Sequence, residues 1–154
     1  MNLLIYISLI SVILLSIYTW ICFYKKRILF DNRFGMTITM SSASIISVIL
    51  SMQFSFVSSL PFEAIIGLMA FTGILIGAAF GTLVRLHAVL NGIFSGAIGG
   101  FMGAMAGSVV KDPSLCGLPT DTESDLLINM FTFTAFGTVV LILTLGLILY
   151  SLKV

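Results

Sequence analysis

Charge is what this sequence lacks most. Only 8% of its 154 residues are Asp, Glu, Lys or Arg, against about 25% in ordinary soluble domains. Hydrophobic residues make up 59%, and the mean hydropathy is +1.21. A soluble domain of this size cannot hide that much apolar surface, because a large part of any small fold stays exposed. The composition excludes a soluble enzyme, a nucleic-acid binder and a disordered chain. Cysteine and histidine are scarce too. Two Cys and one His cannot supply the four ligands of a structural zinc site, and no Cys-x-x-Cys is present. No His-Glu-x-x-His or Gly-x-Ser-x-Gly signature occurs. No cofactor is expected.

What is present is five long apolar runs. A helix crossing a bilayer needs roughly 20 mostly apolar residues. The runs read Leu3–Phe23, Gly35–Val57, Ala64–Val84, Ala88–Val110 and Leu126–Tyr150. The expected fold is therefore an all-α integral membrane protein, a single bundle of five transmembrane helices. Pro61 suits the first residue of the third helix, with Glu63 in a first turn that favours negative charge. Thr122-x-x-Asp125 resembles a capping box opening the fifth. The turn between spans three and four is short, from Arg85 to His87, and Asn91-Gly92 offers an alternative turn nearby. One continuous helix over 64–110 would be about 70 Å long and would bury Arg85 at depth, so two spans are expected there.

Charge, though sparse, orients the chain. Lys25-Lys26-Arg27 follows the first apolar run instead of preceding it, so that run reads as a retained span with its amino end outside. The inner segments then hold Lys25, Lys26, Arg27, Arg33, Arg85 and Lys153, and the outer ones hold only Lys111. Basic residues concentrate on the cytoplasmic side of membrane proteins. The amino end is expected outside and the carboxyl end inside. Cys22 then lies at the inner face and Cys116 in an outer loop, so the two cannot pair within one chain. Cys116 is read as a free outer thiol, the alternative being a bond to its copy in a second chain.

The sharpest pattern lies in spans three and four. Gly73, Gly77 and Gly81 form one ladder, Gly92, Gly96 and Gly100 a second, and Gly99, Gly103 and Gly107 a third. Glycines four apart share a helix face and let another helix approach closely, gaining contact that lipid cannot supply. The offset of the last two ladders makes span four small on two adjacent faces, so contact with two helices is expected. These ladders resemble the glycine zippers of several unrelated small membrane proteins, including channels and assembly factors. The resemblance implies close packing, and either a hairpin of spans three and four within one chain or a homo-oligomer; the hairpin is preferred because the two spans adjoin in sequence.

No Asp or Glu lies inside a span, which argues against a proton-coupled pump. Two polar stripes remain. His87, Asn91 and Ser95 are spaced four apart, and Ser44, Ser47 and Ser51 fall on one side of span two. They read either as lining of a polar pathway or as a solvated turn and an interhelix contact, and the latter reading is preferred. Gly92-Ile93-Phe94-Ser95-Gly96 is similar to the Gly-x-Ser-Gly of rhomboid proteases, with one extra residue before the serine and the sole histidine on the same helix. Met36-x-x-x-Met40, followed by glycine ladders, resembles the copper transporter family of eukaryotes, which implies a soft-metal site. That family has three spans and Met-rich outer segments; here the pair sits near the inner face, and Met is a common gap-filler. The expected function is a non-enzymatic transport or permeation unit, or an accessory subunit of one. The alternative is a structural or assembly protein acting through helix packing, with copper handling a minor possibility. The expected partners are the lipid bilayer and other membrane helices, with no nucleic acid. The expected location is the plasma membrane, on the prior of a bacterial inner membrane.

Overall fold

A computed structural model describes residues 2–26, 32–84, 86–117 and 123–151. It is built of five long helices: α1 (Asn2–Lys26), α2 (Asn32–Val57), α3 (Phe62–Gly81), α4 (Leu86–Lys111) and α5 (Glu123–Ser151). All five are long and apolar enough to cross a membrane, and no strand occurs among the described residues. In hydrocarbon every backbone group must be satisfied within its own segment, which leaves the helix as the available spanning form for such runs.

The helix ends follow local chemistry, with small shifts from the sequence expectation. Pro61 is the residue before α3, not its first residue. Its φ of −62° and ψ of 147° are extended, and its carbonyl accepts from the N–H groups of Ala64 (3.0 Å) and Ile65 (3.1 Å). Glu63 lies in the first turn. At the other end α3 stops at Gly81, three residues before the expected Val84, because the chain tightens: Leu83 N–H donates to Phe80 O and Val84 N–H to Gly81 O. α4 then begins at Leu86, so the turn does not extend to Asn91. Gly81 makes so short a connection possible. A Cβ there would fall under 3.0 Å from the Val89 backbone. After α4, Asp112 Oδ1 accepts from Ser114 N–H at 3.2 Å, opening a short 3-10 turn over Pro113–Cys116. Gly117 closes it at φ +70°, a left-handed conformation that glycine adopts without strain. The Thr122-x-x-Asp125 box and the Cys116 side chain lie outside the described residues, as do the side chains of Lys26, Arg27, Arg33, Arg85 and Lys153.

α2 is the centre. More than half of its span, 56%, is buried, against 17% for α1 and 22% for α5. It packs on α4 and α3 on one side and on α1 and α5 on the other. Two layers result. The α2–α3–α4 layer meets through small residues. The outer layer meets it through large ones: Val12 and Phe23 of α1 and Leu141 and Leu145 of α5 cluster with Ile46 and Ile49 of α2 and Phe80 of α3. Nearer the other end Ile5 and Met130 pack on Met52 and Phe56.

A candidate helix-packing site around α4

α4 carries two glycine faces, and each meets a different neighbour. The first face meets α3 in antiparallel register. Gly73 lies against Gly96, Gly77 against Gly92, Gly81 against Val89, and Gly100 against the Met69 carbonyl. At each of these a Cβ would fall under 3.0 Å from the facing backbone. The second face meets α2 in parallel register. Gly99 faces Ser44 and Ser47, Gly103 faces Val48 and Ser51, and Gly107 faces Met52 and Ser55. All nine ladder glycines are buried. Glycine here removes the one atom that would hold the backbones apart, so contact energy that lipid cannot match is gained over the full length of α4. Gly67 and Gly146, by contrast, meet nothing within 4 Å and lie on exposed faces.

The serine stripe is placed at this second interface. Ser47 and Ser51 are buried at 2% and 1% exposure; Ser44 is half-buried and also borders a groove toward α5. Their hydroxyls bond back to their own helix, Ser47 to Ser44 O at 3.0 Å and Ser51 to Val48 O at 3.0 Å. Such bonds satisfy a hydroxyl without water, which lets serine serve as a small packing residue. Ser55 does the same with Ser51 O at 2.9 Å and also reaches Ala104 O of α4 at 3.4 Å. His87 is exposed in the first turn of α4, and Asn91 is half-buried one turn later. Met36 is half-buried and Met40 exposed at 39%. Among the described residues no group of three or more His, Cys, Asp or Glu is gathered.

Three contacts or placements were not legible in the sequence. Lys111, half-buried at the end of α4, donates from Nζ to Ser58 O and, at 3.5 Å, to Ser55 O. It thus caps the carboxyl end of α2, where carbonyls lack helical partners and a cation is favoured. Its pattern in sequence is only a basic residue before a turn. Trp20 Nε1 donates to Ala79 O at 3.1 Å, tying α1 to the loosening end of α3. Gln53 is fully buried, and among the described residues neither its Nε2 nor its Oε1 has a hydrogen-bond partner. As the lone amide in an apolar run it was visible in sequence, but its burial was not.

Two grooves of about 280 and 290 Å³ open on the flanks of the bundle. One lies between α1 and α3 over α2, and the other between α2 and α5. Both are lined almost wholly by apolar side chains. No known protein family, curated protein or solved structure matches the chain.

Proposed function

We propose that this chain is a non-enzymatic, multi-pass plasma-membrane protein that works through helix packing, as a structural, assembly or accessory subunit. It is threaded with its amino end outside and its carboxyl end inside. One observation carries the reading: both glycine faces of α4 are occupied within the chain, by α3 and by α2. The α3–α4 glycine hairpin is then an internal brace. The serine stripe, buried against Gly99 and Gly103 with its hydroxyls bonded to its own helix, belongs to that brace. The surface offered to other membrane proteins is the large-residue face of α1 and α5.

Cysteine scanning tests this. In a chain with Cys22 and Cys116 replaced by Ser, Ser47→Cys and Ser51→Cys should resist a water-soluble thiol reagent while His87→Cys reacts. Labelling of both serine positions would restore a water-filled pathway and overturn the packing reading. For the threading, reporter fusions after Leu60 and Leu118 should be active only outside; a cytoplasmic signal at either would reverse it.

A transport or permeation unit is the second reading. It is favoured by Gln53, whose amide is buried without a partner among the described residues, one turn along α2 from Ile49 and Phe56, which belong to the clusters shared with α1 and α5. A buried amide without hydrogen bonds costs several kcal/mol, roughly 2–7 by transfer scales, and a solute or water chain would relieve that. Gln53→Cys that labels from the aqueous phase would support this reading.

A further inference from the structure

We propose that Gln53 binds an ordered water, enclosed where α1, α2 and α5 meet and shared with Ser8 and Thr134. An enclosed water serves an assembly protein and a transporter alike, so the site rests on neither reading above. Gln53 lies four residues after Ile49 and three before Phe56, which places the three on one side of α2. Ile49 clusters with Val12 of α1 and Leu141 of α5, and Phe56 with Ile5 and Met130. What covers Gln53 therefore comes from 5–12 of α1 and 130–141 of α5. On α5, Thr134 stands one turn from Met130 and is only 4% exposed. By helical position it turns away from the groove between α2 and α5, which takes Phe133, Phe136 and Val140, and so toward α1. On α1, Ser8 stands between Ile5 and Val12 and is half-buried. It lies on the flank opposite Ile13, Ile17 and Trp20, which line the groove toward α3, and so faces α5.

The donors and acceptors at this junction do not balance. Ser8 Oγ donates to Ile5 O at 2.8 Å, and Thr134 Oγ1 to Met130 O at 2.7 Å. A hydroxyl has one hydrogen, so both oxygens can now only accept. Backbone N–H groups in the middle of a helix are spent as well. Gln53 Nε2 has acceptors within its neighbourhood, but Oε1 finds no donor among the described residues. The missing group is a donor. It is also uncharged, because residues 2–24, 34–62 and 126–151 hold no Asp, Glu, Lys or Arg and a lone buried ion is far costlier than a neutral group. It is small, because Gln53 is fully buried. Water meets all three conditions. It donates one hydrogen to Oε1 and the other to a hydroxyl oxygen, and accepts from Nε2, the count of about three bonds usual for a buried water. One turn beyond Gln53, a cavity of about 100 Å³ is bordered by Ile5, Tyr6, Phe56 and Val57. A single water needs roughly 10–15 Å³ of such space, so water can stand within a turn of the amide. Holding a water costs freedom of motion, and the hydrated amide stays a poorer core group than leucine, which would remove amide and water together and leave nothing unpaired.

Gln53 is the only glutamine of the chain, so glutamine labelled at its side-chain nitrogen marks this amide alone. The full chain is reconstituted in phosphatidylcholine bilayers, and solid-state nuclear magnetic resonance records transfer from water protons to the labelled amide. A water cross-peak should appear. Thr134→Val and Ser8→Ala, which remove the hydroxyl oxygens at little cost in volume, should each weaken it, and the two together should abolish it. Ser16→Ala, on the groove toward α3, should leave it unchanged. In a chain with Cys22 and Cys116 replaced by Ser, Gln53→Cys should stay unlabelled by a water-soluble thiol reagent. Circular dichroism confirms that each variant is folded. Absence of the water cross-peak would overturn the proposal, as would a cross-peak to a Ser or Thr hydroxyl proton in its place, which would mean a direct protein partner. So would a water cross-peak that survives the double substitution. Labelling of Gln53→Cys would overturn it in favour of an open pathway, and so would leave the transport reading standing while the enclosed site fails.

Discussion

The α2–α3–α4 layer and the flanking helices α1 and α5 are held by opposite means. In the first, backbones touch: Gly77 lies on Gly92, Gly103 on Val48. In the second, large side chains such as Val12, Leu141 and Leu145 fill the space between helices. The most buried helix, α2, is the one that carries the run of serines, and the two least buried, α1 and α5, are rich in Leu and Ile. This reverses the order seen in soluble domains. Lipid tails are as apolar as leucine, so hiding leucine from them gains nothing. Close packing, which small residues permit, is what remains to drive association.

Substitution of the glycines should break that contrast most sharply. Gly77→Leu forces α3 and α4 apart, and overpacking of a tight core costs about 1–3 kcal/mol, occasionally more; here the upper end is expected, because the obstructing atoms are backbone. Gly67→Leu, ten residues away on the same helix, meets nothing within 4 Å and should leave stability nearly unchanged. Denaturation in mixed detergent micelles, followed by circular dichroism, measures both. Since Leu is the better helix former, a loss at Gly77 alone reports contact, and similar losses at the two positions would mean that close approach at Gly77 is not what holds the layer.

The next effect has the opposite sign. Gln53→Leu replaces an unpartnered buried amide by an apolar group of similar size and should raise stability by about 1–3 kcal/mol. The same titration reads it. A loss would show that Gln53 has a partner, and so that the α1–α5 side of α2 is wetter than its packing suggests.

The smallest effect concerns the end of the brace. Lys111→Met removes the cation that caps the carboxyl end of α2 and should cost about 0.3–1 kcal/mol. Hydrogen exchange should quicken at the last turn of α2 while its middle, locked against Gly99 and Gly103, stays protected. Uniform loosening of α2 would make Lys111 part of the core interface instead of its edge.

Much of this was legible residue by residue. The spans could be read because run length and helix rise are local quantities, and the ends moved by only a few residues where Pro61 and the tight turn after Gly81 intervened. The two faces of α4 were legible from the offset of Gly92, Gly96 and Gly100 against Gly99, Gly103 and Gly107. That α2 fills the second face was not: Ser44, Ser47 and Ser51 mark one side of α2 as a contact face, but nothing local says which helix meets it. Nor was the bond from Trp20 Nε1 to Ala79 O legible, since it depends on a helix 59 residues away.

The sequence by itself determined that there are five apolar helices of spanning length, with basic residues gathered at alternate ends. Those properties follow from short stretches of chain. Only the tertiary structure decided which helix lies at the centre, why Gln53 is buried while Gly67 and Gly146 are bare, and that α4 touches both neighbours through glycine. Hydropathy separates α2 and α4 from the three more exposed helices, but it does not say which of the two is central or which faces meet. That order is set by which small faces fit together, and fit belongs to pairs of segments that lie far apart in the chain.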